Sequence, residues 1–348
     1  MKLKKYQNFL ESRGVATETT KYTDVILKLL KDKFKQFVSS GSDTHEEKLE
    51  LTKDYFPFYS ESYPISEIEL NINFDQMSDE AFEKRCPGTH AQGKYFSTTG
   101  ICYSVGETDG SVKLEDGSIR LKMGVGAIID KEKIPTISDS LIEEINLEIE
   151  SSITHELNHS YDAFNRDLKG EPGFGCALTW ALDPNMANVP DSVWKIWWKE
   201  LGYFLYWTEG HEINAMTQDA FPYIKKYDIE EMKGKTPTWD FIQRMKKFDP
   251  IEFKNRLTEE IKKTMSGQDP DEVLTKMKDG LADKLQELVD DEDATMEEYP
   301  ELKYSKPSIS SKFIRKLNID QFLDFCGKRI QKMSEKLRRR VLRHYSSK

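Results

Sequence analysis

One stretch of this chain has residue types and spacing that can do chemistry. It reads Thr154-His155-Glu156-Leu157-Asn158-His159-Ser160-Tyr161-Asp162. His155, Glu156 and His159 form the pattern His-Glu-x-x-His. On a helix, residues four apart differ by about 40° in azimuth and about 6 Å in height. Two imidazoles so placed can bind one metal ion. Glu156, next to the first of them, then stands near the ion's open position and can deprotonate a water there. The chain has only 6 histidines in 348 residues. Random placement would give the pattern in about one chain in a hundred of this composition. The plain alternative is a pair of surface histidines on an acidic helix. Position argues against it: the motif sits in the C-terminal part of a strongly helical segment, with a β-hairpin directly before it.

A catalytic zinc takes three protein ligands and leaves a fourth position to water. A His-x-x-Gly-x-x-His continuation is excluded after His159, because residue 165 is Asn. The second cluster is Thr208-Glu209-Gly210-His211-Glu212-Ile213-Asn214-Ala215. Glu212 is the favoured third ligand. Ala215 is small enough to let its helix approach the first, and Ile213 and Met216 supply a buried face. Glu209 and His211 are the alternatives, and an exposed polar helix start is the plain one. Tyr161, Tyr206, His211 and Tyr223 are equal candidates for stabilising an oxyanion. Asp162 lies three residues after His159 and can accept a hydrogen bond from a ligating imidazole. A surface carboxylate is an equal reading of it.

These residues need elements to hold them. Val25, Ile26, Leu29, Leu30, Phe34, Phe37 and Val38 have helical spacing, and Asp24 is a candidate N-cap. Tyr55 to Tyr59 is aromatic and Pro-broken, which predicts a packed connection. Ile65, Ile68, Leu70, Ile72 and Phe74 run near period two and predict a strand. Gly100 to Val105 is a second candidate strand. Val112 to Glu115, the pair Asp116-Gly117 and the run from Ile119 read as a hairpin. In that last strand Ile119, Leu121, Met123, Val125, Ala127 and Ile129 share a face. Gly124 and Gly126 lie on the other, where a second backbone can come close. From Ser138 the period turns helical through Leu157 to about Phe164. Helices are expected over 191 to 227 and again over 238 to 348, with breaks at Pro250, Pro270, Pro300 and Pro307. Trp180, Trp194, Trp197, Trp198 and Trp207 read as a packing cluster rather than a substrate wall.

Composition narrows the classes. Lys+Arg 51 against Asp+Glu 61 gives a net charge of −10, and mean hydropathy is −0.67. That balance argues against a general nucleic-acid or membrane-surface binder. No apolar run approaches the length of a membrane span, and the basic N-terminus lacks the apolar stretch of a signal peptide. Cys86, Cys102, Cys176 and Cys326 fit no zinc-finger or redox spacing and read as reduced thiols of an intracellular, cytoplasmic protein. The C-terminal helix carries Lys328, Arg329, Lys332, Lys336, Arg338, Arg339, Arg340 and Arg343. Its readings are a solvated face offsetting the acidic run Asp290 to Asp293, or a dock for nucleic acid or an acidic partner.

The pair His155-Glu156-x-x-His159 and Glu212-x-x-Ala215 resembles the gluzincin group of zinc metallopeptidases, over roughly residues 65 to 227. The resemblance implies a Zn2+ ion held by His155, His159 and Glu212, with Glu156 as general base acting on a peptide or protein substrate. It implies an α+β fold: a zincin-like core, in which a small twisted sheet packs on the active-site helix, with helical N- and C-terminal additions. The corresponding divisions are 1–60, 61–230 and 231–348. It also implies that the strand over about 119 to 129 is the sheet edge that aligns an extended peptide. The chain has His211 before Glu212, where thermolysin-like members have Asn-Glu-x-x-Ser-Asp. Separately, Lys5-Tyr6-Gln7-Asn8-Phe9-Leu10-Glu11 is similar to the short leader of tailed-phage internal head proteins. That likeness implies a phage origin, a place in the virion and phage structural proteins as partners. It opens a second class of function, an assembly protein that keeps a zincin scaffold and a stabilising metal.

Overall fold

The structure is a computed structural model that describes residues 2–59, 65–85, 94–96, 101–107, 112–114, 118–133, 139–165, 189–208, 210–298 and 309–346. The fold is mixed α+β, mostly helical, with one six-stranded sheet. By internal packing the chain divides into two compact units. One is Met1–Asn165 with Phe221–Tyr223, and the other is Arg166–Ala220 with Ile224–Lys348.

The first unit runs α1 (Lys2–Ser40), β1 (Thr44–Leu51), β2 (Ile65–Met77), α2 (Asp79–Arg85), β3 (Lys94–Phe96), β4 (Ile101–Glu107), β5 (Val112–Lys113), β6 (Ile119–Asp130) and α3 (Asp139–Asn165). The strand order is β1-β2-β6-β4-β3, with β5 also on β6. β2 and β6 are parallel, and every other pair is antiparallel. Alternation explains the sheet's two faces. Ile68, Leu70, Ile72 and Phe74 of β2 and Leu121, Met123, Val125 and Ile129 of β6 are buried on one face. On the other, Arg120 pairs with Glu67 at 2.6 Å and Lys48 with Glu69 at 2.9 Å. Tyr22, Ile26, Leu30 and Phe37 of α1 and Ile153 and Leu157 of α3 complete the same core. The N-terminal helix is thus a layer of the sheet's own core. Leu121 is fully buried at its centre. Leu121→Ala is expected to lower unfolding free energy by about 2–5 kcal/mol in a denaturant titration, through lost transfer energy plus the cavity left behind.

Two expectations are corrected here. Asp24 does not cap a helix, because α1 already begins at Lys2 and runs through it. Nor is the 119–129 strand an edge. β2 lines one side of β6 over its whole length, and β4 and β5 line the other. The backbone donors and acceptors of β6 are therefore engaged, and no peptide can add to it. Gly124 faces Asn71 and Gly106 in register, and Gly126 faces Asn73 and Ser104. The hairpin strands pair as expected, Lys113 opposite Ile119, with Leu114 N donating to Ser118 O. The turn pair Asp116-Gly117 lies outside the described residues. Phe56, in the aromatic connection, is buried in the core.

In the second unit α4 (Asp191–Ile196) continues as a π-helical turn (Trp197–Gly202) into α5 (Tyr203–Tyr206). Then come α6 (Gly210–Asp219), α7 (Phe221–Lys226), whose first turn belongs to the other unit, α8 (Ile229–Lys235), α9 (Pro237–Lys246), α10 (Pro250–Thr264), α11 (Pro270–Glu298), α12 (Ser311–Arg315) and α13 (Ile319–Ser346). Pro250 and Pro270 open helices, where the missing N–H costs nothing. Pro300 and Pro307 lie outside the described residues. Trp197 is buried and stacks on Phe322, ring centres 6.3 Å apart, as a packing residue does. Trp180 is outside the described residues. Asp249 caps α10, its Oδ1 accepting from Ile251 N at 2.8 Å and Glu252 N at 3.1 Å. Asp249→Ala is expected to cost about 0.5–2 kcal/mol, read as a lower denaturation midpoint. Cys326 is a buried thiol whose pKa is pushed far up by burial, so it is inert. No helix among the described residues is long and apolar enough to cross a membrane.

Candidate metal centre

The site starts from α3. Ile153 and Leu157 point one side of this helix into the sheet core. At about 100° per residue, His155 and His159 fall on the opposite side, one turn apart. A buried hydroxyl pair sets the roll of the helix. Thr154 Oγ1 donates to Glu150 O at 2.7 Å and lies 3.3 Å from Thr23 Oγ1 of α1. His155 is 9% exposed and His159 is half-buried. Their Nε2 atoms are 2.9 Å apart, with the rings nearly perpendicular at 79°. Both imidazoles thus aim the same nitrogen at one point.

Glu212 lies in the first turn of α6 and is 1% exposed. The apolar face of that helix is Ile213, Ala215 and Met216, all buried, as the sequence predicts. Two arginines of α13 hold the segment on either side of Glu212. Arg329 Nε donates to Thr208 Oγ1 at 2.8 Å, and Arg340 donates to Asn214 Oδ1. Thr208 Oγ1 in turn donates to Leu205 O at 2.7 Å.

One ligand atom from each of His155, His159 and Glu212 lies within 4.8 Å of the others. Among the described residues this is the one group of three or more potential ligands that comes together so closely. A tetrahedral ion with bonds of about 2.1 Å holds its ligand atoms roughly 3.4 Å apart. A group so spaced could hold one metal ion. Two neutral imidazoles and a carboxylate suit a divalent transition metal. Burying a carboxylate this deeply costs several kcal/mol unless it is hydrogen-bonded, paired or bound to a metal, so the seclusion of Glu212 fits a ligand better than a helix-surface group.

The other sequence candidates are placed as follows. Glu156 is half-buried on α3, directly after His155. Tyr206 is half-buried at the end of α5, and Tyr223 is buried in α7. The side chains of Tyr161, Asp162 and His211, and all of Glu209, lie outside the described residues. The holding roles of Thr23, Thr154, Arg329 and Arg340 are not expected from the sequence, where the two arginines read as a solvated or docking face. Each acts through a partner between 121 and 131 positions away. No local pattern carries such a pairing.

No known protein family, curated protein or solved structure matches this chain.

Proposed function

We propose that the protein is a zinc-dependent peptidase with a gluzincin-like site on a zincin-like core. His155, His159 and Glu212 hold the ion, and Glu156 is the general base. The observation that carries this reading is the convergence of the three ligand atoms within 4.8 Å, with Glu156 next to a ligand on the same helix. Bound zinc supplies Lewis acidity, which lowers the pKa of a water and polarises a carbonyl. The two histidines offer neutral Nε2 atoms to the ion, while Glu212 brings one negative charge. Glu156 takes a proton from the attacking water and delivers it to the departing amide nitrogen. The substrate is a peptide or protein.

The test is digestion of a mixed peptide library by the purified full chain. Cleavage that 1,10-phenanthroline abolishes and added zinc restores is the expected result. Cleavage that survives chelation would remove the metal from the reaction.

A further inference from the structure

The sheet ends in a long strand whose outer side is unpaired among the described residues. β1 and β3 close the strand order at its two ends, and β1 is the longer, eight residues against three. Gln76 N donates to Asp43 O at 2.7 Å, one step beyond the register that sets Thr44 opposite Asp75. Bonded and unbonded pairs alternate along an antiparallel ladder. His45, Glu47, Leu49 and Leu51 therefore turn their backbone groups to β2, while Thr44, Glu46, Lys48 and Glu50 turn theirs outward. Thr44 O accepts from Ser42 Oγ at 2.8 Å. The other outward groups meet no backbone partner among the described residues. The side chains of the same four residues are exposed. Lys48 pairs with Glu69 at 2.9 Å, and Glu46 and Glu50 have no ion-pair partner among the described residues.

Charge on an edge strand ordinarily discourages pairing. Here the order of the charges discourages every full-length register but one. Two copies of β1, antiparallel about a two-fold axis, must set outward residues against outward residues. With the axis at Glu47, the ladder runs from Thr44 to Glu50 and uses every outward group. Glu46 then faces Lys48 of the second copy, twice over by symmetry, and Thr44 faces Glu50. With the axis at Glu46, that residue faces itself. With the axis at Lys48, lysine faces lysine and Glu46 faces Glu50. With the axis at Leu49, Lys48 meets Glu50, but the ladder shrinks to Glu47 through Leu51. The like pair at Glu47 brings its own counter-charge: Lys33 Nζ lies 2.6 Å from Glu47 Oε1 and holds that carboxyl below its ordinary range.

We propose that β1 is the contact edge of a symmetric homodimer, in which the β1 strands of two copies of this chain pair antiparallel about Glu47 and join their sheets into one. Main-chain hydrogen bonds supply the affinity, and the two Glu46–Lys48 crossings fix the register. A contact of this symmetry consumes the edge on both copies and closes, so it ends at two chains.

The experiment is analytical ultracentrifugation of the full chain at concentrations up to about 100 μM, enough to populate a complex of micromolar dissociation constant. The expected species has twice the chain's mass of 40.5 kDa. Glu46→Lys turns both crossings into like-charge pairs and should weaken the dimer at least about tenfold, with an unchanged thermal melt. Lys48→Glu should do the same. Mixing the two single variants should restore the dimer, because each crossing then joins opposite charges. A register about Leu49 predicts no effect of Glu46→Lys and no such restoration. A separate variant tests the axis without changing the crossings. Glu47→Cys should form a dimer-spanning disulfide on mild oxidation, while Glu50→Cys, which faces Thr44, should not. A chain that stays monomeric throughout the concentration range would overturn the proposal. So would a dimer that persists undiminished in folded Glu46→Lys, which places the contact on another surface. Mixed variants that are folded and stay monomeric, or equal cross-linking at 47 and 50, would overturn the register and with it the paired edge.

Discussion

Glu156→Gln is expected to reduce peptide hydrolysis by about 10²- to 10⁴-fold, the range that a positioned general base contributes. The replacement keeps the size of the side chain and the helix propensity of α3 nearly unchanged. It removes only the capacity to hold a proton in transit. Zinc content and thermal stability should therefore match the wild type. That combination separates a catalytic loss from a folding loss. Activity equal to wild type would take the base role away from Glu156. Stoichiometric zinc with no cleavage of any peptide, by wild type and variant alike, would favour the assembly-protein reading, in which the metal serves stability.

The second large effect is on the metal. His159→Ala is expected to abolish stoichiometric zinc, because two ligands on separate elements hold an ion far less well than three. His155→Ala should do the same. A metal that binds the folded chain alone stabilises it by mass action, about 4 kcal/mol when free metal exceeds the dissociation constant a thousandfold. Wild type should accordingly lose that increment on chelation, and the alanine variants should melt at one temperature with or without chelator. The same measurement decides the third ligand. Glu212→Gln should lose zinc, while Glu209→Gln and His211→Ala should keep it. Retention by Glu212→Gln with loss in either of the others would reassign the ligand. Retention of zinc by both histidine variants would undo the centre.

What the sequence revealed follows the range of the interactions. His155 and His159 belong to one helix, so their spacing alone told where both side chains would go. Glu212 could be picked from its neighbours by the apolar pattern of Ile213, Ala215 and Met216, and one of its ligand atoms lies within 4.8 Å of those of the two histidines. The alternation of Ile119 to Ile129 gave the buried face of β6 correctly. It gave no strand order, since a strand with one buried face looks alike at the edge and in the middle of a sheet. That is why β6 was expected at the edge and stands inside. The same limit applies to α1. Apolar spacing located its packed face at Val25 to Val38, but the helix continues upstream to Lys2 through residues with no such pattern. The arginines of α13 looked like solvated charge. That two of them brace the Glu212 segment depends on how distant helices pack.

The parallel pairing of β2 with β6 bears on how the protein is made. Ile68 sits beside Leu121 and Phe74 beside Ala127, so the strands at the centre of the sheet are far apart along the chain. A hairpin cannot bring them together. Closing so long a loop costs entropy before any contact repays it, and topologies of this kind fold slowly. On a ribosome adding about 5–20 residues per second, β1 and β2 emerge seconds before β6 does. During that interval α1, whose Ile26, Leu30 and Phe37 share a core with the apolar row Ile68, Leu70, Ile72 and Phe74 in the finished fold, is already made. This helix is then more than a layer of the finished core: it is an early element able to shield the nascent sheet from association with other chains until Ile129 arrives.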